Sequence, residues 1–144
     1  MKHAIILAIA LAFATISNAQ PIKLLDENRV VNYMSVDGKD TSVSVMIYFQ
    51  NVHYKYITDL KFIHLDTRKQ LEEFKADLRK VIETTITDES TLTIEKRDWL
   101  FVKTKRFTAL NVDDGFCWLS GDLADEGADE KMLETLNRCF IRTK

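Results

Sequence analysis

Residues 41–50, TSVSVMIYFQ, carry the clearest strand pattern in the chain and decide the class of fold. Apolar side chains alternate with the others along this stretch, so one face consists of Val43, Val45, Ile47 and Phe49. The Asp37-Gly38 pair just before it favours a tight hairpin, because glycine adopts the positive φ angle that such turns need. We therefore predict a half-buried strand that pairs with its neighbour in an antiparallel sheet.

The periodicity changes after residue 65. Apolar side chains then recur at helical spacing, at Leu71, Phe74, Leu78, Val81 and Ile82. Thr67 and Gln70 have the spacing of a capping box, in which the side chain of each residue bonds the backbone N–H of the other. The pattern predicts one long helix over residues 68–84.

Further strand patterns occur on both sides of this helix, within residues 29–34, 54–65, 91–96, 99–105, 106–112 and 116–119. A last helical pattern follows at Met132, Leu133, Leu136 and Phe140. Together they predict a single α+β domain over residues 20–144. We expect a mainly antiparallel sheet of about five to seven strands, packed against one long central helix and a C-terminal helix.

The first nineteen residues have the pattern of a secretory signal peptide. Lys2 precedes an uncharged apolar run over residues 4–16, and Ser17-Asn18-Ala19 supplies the small residues of a cleavage site. The run is shorter than the roughly 20 residues that span a bilayer, so a retained membrane anchor is the weaker interpretation. Cleavage after Ala19 predicts a secreted or periplasmic protein with no stable membrane anchor.

The cysteines, Cys117 and Cys139, both belong to the predicted mature chain. Because exported proteins fold in an oxidising compartment, we expect a disulfide between them, and two buried thiols are the alternative. A loop of this length predicts a stabilisation of about 3 kcal/mol from the bridge. The pair lacks the Cys-x-x-Cys spacing of redox enzymes.

The sequence contains no recognisable catalytic, cofactor or metal motif. It has no nucleophile elbow and no glycine-rich phosphate loop, and His53 and His64 lack metal-ligand spacing. The acidic segment 121–130 resembles a solvated loop more than a calcium site, since it does not match the known loop spacing. The chain has a net charge of −2, so the basic segment 96–107 does not predict nucleic-acid binding.

The best candidate for a functional surface is a group of aromatic and apolar residues on neighbouring strands, Met46, Tyr48, Tyr54 and Tyr56. Tyrosine and methionine are enriched at protein interfaces. We therefore predict a small non-catalytic binding domain whose partner is a protein or an extracellular polymer. A carrier of a small apolar ligand and a hydrolase without a recognisable motif are the alternatives.

Overall fold

The computed structural model describes residues 21–51 and 60–142, which form eight strands and two helices. The first four strands precede the first helix: β1 (Ile22–Glu27), β2 (Val30–Asp37), β3 (Asp40–Gln50), β4 (Leu60–Leu65) and α1 (Arg68–Glu83). The second four precede the last helix: β5 (Leu92–Glu95), β6 (Leu100–Lys103), β7 (Thr108–Val112), β8 (Gly115–Ser120) and α2 (Ala128–Asn137).

The strands form two separate antiparallel sheets. Sheet I has the order β1-β2-β3-β4 and sheet II the order β5-β6-β7-β8, so each is a meander in which sequential strands are neighbours. Each meander is followed by one helix, and the chain thus repeats one topology without repeating its sequence. The prediction of an α+β domain, with one sheet of five to seven strands on one long central helix, is wrong. The fold is mainly β, with two sheets and two short helices.

The hairpins of sheet I depend on residues that adopt positive φ angles. Asn28 and Arg29 have φ angles of 51° and 69° and form the turn between β1 and β2. Gly38 has a φ angle of 63° at the predicted turn between β2 and β3. Two-residue hairpins favour such angles because they match the twist of the flanking strands.

Helix α1 begins where the sequence predicts. The capping box between Thr67 and Gln70 is present, and the apolar stripe of the helix is buried. Asp77 is also buried, and its carboxylate accepts a hydrogen bond from the indole N–H of Trp99 at 3.0 Å. At the other end of α1, the ammonium group of Lys103 donates to the carbonyl of Val81. The helix is thereby fixed to the segment that leads into and forms β6.

A single hydrophobic core contains the inner faces of both sheets and the apolar faces of both helices. The sheets meet where β3 and β4 approach the turn between β7 and β8. There the buried side chain of Asn51 accepts a hydrogen bond from the backbone N–H of Phe116 at 3.3 Å. Lys61 forms an ion pair with Asp114 across the same junction at 2.7 Å.

The segment after α2 is fixed to sheet I. The backbone groups of Val43 and Arg142 exchange two hydrogen bonds, of 2.8 and 3.0 Å. The side chain of Asn32, which is 2 % exposed, donates to the carbonyl of Phe140 at 2.9 Å and accepts from its N–H at 3.3 Å. We call residues 138–142 the tail. Through its pairing with Val43, the tail extends sheet I beyond the end of β4.

The predicted disulfide between Cys117 and Cys139 is wrong, because both cysteines are free, buried and separated. Cys117 faces the core from β8, whereas the thiol of Cys139 donates to the carbonyl of Thr135 at 3.3 Å. Cys139 lies beyond the end of α2 at Asn137, and the sequence pattern does not specify the distance between this position and β8.

We expect mass spectrometry of the unreduced protein to find two free thiols. Burial raises the pKa of both cysteines to about 11, so the thiols remain protonated and react slowly with alkylating agents in the native state. Denaturant without reductant should expose both to rapid labelling. Because the folded pKa values lie above those of the unfolded chain, the stability should decrease as the pH rises from about 9 to 11.

Unfolded protein that resists labelling until reductant is added would show that a disulfide forms after all.

Several predictions fall outside the described residues. These are the signal peptide over residues 1–19, the mature start at Gln20, and the placement of Tyr54 and Tyr56. Within residues 21–51 and 60–142, neither helix has the length and apolar character needed to cross a bilayer.

Candidate functional site

The strand register of sheet I places an aromatic cluster on the side that faces away from the common core. Val31 pairs with Met46, Met46 pairs with His64, and Tyr48 pairs with Phe62. Tyr33 follows Val31 on the same face of β2. We call this surface the outer face of sheet I and define it by Val31, Tyr33, Met46, Tyr48, Phe62 and His64.

The centre of the outer face is buried and its border is partly accessible. Val31 and Met46 are 0 % exposed, and the rings of Tyr33, Tyr48 and Phe62 pack against them. His64 is exposed and stacks with Phe62 at 6.4 Å between ring centroids. A sheet with one face on the core usually presents polar residues on the other, so an apolar outer face is unusual.

Burial raises the pKa of both tyrosines of the cluster, and nearby carboxylates add to the effect. The hydroxyl of Tyr48 donates to Asp26 on β1 at 3.4 Å. Burial, followed by the negative charge of Asp26, raises the pKa of Tyr48 to about 12. Burial is also the main cause of the raised pKa of Tyr33, and Asp66 adds to it. Both rings therefore offer a neutral hydroxyl at physiological pH.

Two of the four residues predicted to bind a partner, Met46 and Tyr48, lie on the outer face of sheet I. Met46 is fully buried, so a partner would contact the rings that surround Met46 and not Met46 itself. Sequence reasoning missed Tyr33 and Phe62 as members of the cluster. The alternation within each strand indicates the face on which each side chain lies. Only the register between strands brings Tyr33 and Phe62 beside Tyr48.

Sheet II carries a second aromatic group, formed by Phe107, Phe116 and Trp118. The ring of Trp118 makes edge-on contacts with both phenylalanines, each at 4.9 Å between centroids. A cleft of about 160 Å³ opens beside Trp118 and Phe107, next to Leu123, which is 77 % exposed. Its size suits one side chain or one sugar ring.

Two further cavities are bounded by described residues. One of about 110 Å³ lies between the turn at Asn28 and Arg29 and the start of α2. The other has a volume of about 410 Å³ and lies between the first turn of α1 and the tail after α2. Only the larger volume falls within the roughly 300–1,000 Å³ typical of small-molecule sites.

The charged segments do not form a metal centre among the described residues. No group of three or more His, Cys, Asp or Glu side chains in that part of the chain converges to hold a metal ion. Most carboxylates of the acidic loop are exposed, at Asp122, Asp125, Glu126 and Glu130. In the basic segment, Trp99 and Phe101 are buried in the core. The basic residues beside them belong to the hairpin of β5 and β6 and its flanks.

No protein-family model, curated protein or solved structure matches this chain. The functional interpretation therefore depends on the geometry of the surfaces described above.

Proposed function

We propose that this protein is a small, exported, non-catalytic domain that binds a partner protein through the outer face of sheet I. The single observation that carries the proposal is the apolar cluster of Tyr33, Tyr48 and Phe62 around Val31 and Met46. Signal-like residues at the start of the chain support a secreted or periplasmic location.

The composition of the outer face supports a protein as the partner. Tyrosine supplies a large apolar ring and a polar hydroxyl, and this combination is enriched where proteins associate. Asp26, Lys23 and His64 surround the rings and provide a polar rim. A partly accessible aromatic centre inside such a polar rim is the usual anatomy of a specific interface, whose centre a partner covers.

Replacing Tyr48 and Phe62 by alanine should abolish binding and leave the fold intact. We expect the native domain to capture a protein from the exported fraction of its source organism, and the double variant to lose it. With that protein purified, the affinity should fall by roughly tenfold or more, since aromatic anchors dominate interface energetics.

Phe116→Ala is the matched control, because Phe116 is a half-buried aromatic residue of sheet II, on the face of β8 opposite to the buried Cys117. It should bind the purified partner as the native domain does. Equal binding by all three proteins, or loss of binding in the control alone, would contradict the proposal. Capture of a polysaccharide in place of a protein would reassign the partner to the extracellular polymers.

A further inference from the structure

The cavity of about 410 Å³ lies between the first turn of α1 and the tail, and we call it the tail groove. Its lining consists of Arg68, Leu71, Glu72, Cys139, Phe140, Ile141 and Arg142. We propose that the tail groove binds a small amphipathic anion, a carboxylate attached to an apolar chain.

The floor of the tail groove is apolar. Leu71, Cys139 and Ile141 belong to the hydrophobic core and are nearly inaccessible. Burial keeps the thiol of Cys139 neutral, with its pKa raised to about 11, so this side chain behaves as an apolar surface. Phe140 stands at the border with 51 % of its surface exposed. An alkyl chain laid in the groove would contact the floor and cover the exposed part of the Phe140 ring.

The rim of the tail groove is positively charged. Arg68 and Arg142 both line it, and neither forms an ion pair with another residue in the ranges 21–51 and 60–142. The one acidic lining residue, Glu72, is paired with Lys75 at 3.0 Å. The groove thus has an excess of positive charge in a protein whose net charge is negative. This charge selects an anion over a neutral or cationic ligand.

Hydrogen bonds position both arginines at the groove, through the side chain of Arg68 and through the main chain of Arg142. The Nε atom of Arg68 donates to the carbonyl of Ile141 at 3.1 Å. This bond fixes the guanidinium group of Arg68 beside the tail and leaves its Nη atoms for another acceptor. The backbone of Arg142 is fixed by its two hydrogen bonds to Val43. Preorganised guanidinium groups recognise carboxylates through paired hydrogen bonds, which are stronger than those between neutral groups.

Calorimetric titration with decanoate tests the proposal. We expect saturable binding of decanoate that is roughly tenfold or more tighter than binding of decan-1-ol, since the alcohol lacks the charge that the arginines recognise. Decyltrimethylammonium should not bind. Amide chemical shifts of residues 139–142 and Leu71 should change during the decanoate titration, which places the ligand in the groove.

Arg142→Gln removes one charge and keeps the backbone pairing with Val43, and it should weaken decanoate binding by roughly tenfold. Arg97→Gln is the control, because Arg97 is an exposed arginine in the turn between β5 and β6. Equal affinity for decanoate and decan-1-ol, no effect of Arg142→Gln, or no saturable binding would each overturn the proposal. Tighter binding of a short peptide with an apolar C-terminal residue would also overturn it and assign the groove to a peptide end.

This inference is independent of the proposed function. The double variant of Tyr48 and Phe62 should bind decanoate with the affinity of the native domain, because the outer face of sheet I shares no residue with the lining of the groove.

Discussion

Asn32→Ala should lower the free energy of unfolding by about 3 kcal/mol, because it leaves buried backbone groups without partners. The amide of Asn32 donates to the carbonyls of Ser44 and Phe140, at 3.0 and 2.9 Å, and accepts from the N–H of Phe140. Alanine provides none of these bonds. Urea denaturation followed by tryptophan fluorescence measures the loss.

Asn111→Ala is the matched control for this experiment. Asn111 lies half-buried in β7, and its amide makes one long hydrogen bond, of 3.4 Å, to the carbonyl of Leu100. We expect this variant to lose less than about 1 kcal/mol. Similar losses in the two variants would show that Asn32 does not hold the tail against sheet I. The affinity of the tail groove for decanoate should also fall in the Asn32 variant, since the same bonds position Phe140.

Gly115→Ala should destabilise the protein by roughly 2 to 3 kcal/mol, because a side chain at this position overpacks the junction between the two sheets. An added Cβ atom would lie 2.6 Å from Nδ2 of Asn51 and 2.8 Å from Cε of Lys61. The lysine chain can move aside, but the buried Asn51 is held by its bond to Phe116. Thermal and urea denaturation would both report the change.

Gly38→Ala provides the comparison, since Gly38 has open space around it and a positive φ angle. Its cost should be about 1 kcal/mol, the strain of that backbone conformation alone. Combining Gly115→Ala with Asn51→Ala should cost less than the sum of the single changes, because the second removes the nearest atoms. Additive effects, or a smaller loss at Gly115 than at Gly38, would contradict the described junction.

The sequence predicted local elements better than their assembly. The alternation in residues 41–50 and the capping box at Thr67 specify a strand and a helix start through neighbours in the chain, and both are confirmed. Strand β1 was missed because the turn before β2 uses Asn28 and Arg29 in place of glycine. The division into two sheets was also missed, because alternation shows that a strand is half-buried but not which strand it pairs with.

The candidate surfaces show the same contrast between what local patterns predict and what depends on the assembly of the strands. The phase of Tyr48 placed it on the face opposite to Ile47, which requires only the two-residue period of a strand. Its neighbours Tyr33 and Phe62 come from other strands and depend on register. The tail groove brings together Arg68 and Arg142, which are about half the chain apart in sequence. The bonds that hold the tail to Asn32, Val43 and Arg68 form only in the folded protein, so local sequence patterns do not reveal them.

Site-specific photocrosslinking tests the binding role of the outer face of sheet I most directly. A benzoyl-phenylalanine placed at position 48, or separately at position 62, should crosslink the same protein of the exported fraction on irradiation. The same group at position 116 on sheet II should give no crosslink to it. A crosslink from position 116 alone, or none from positions 48 and 62, would contradict the account.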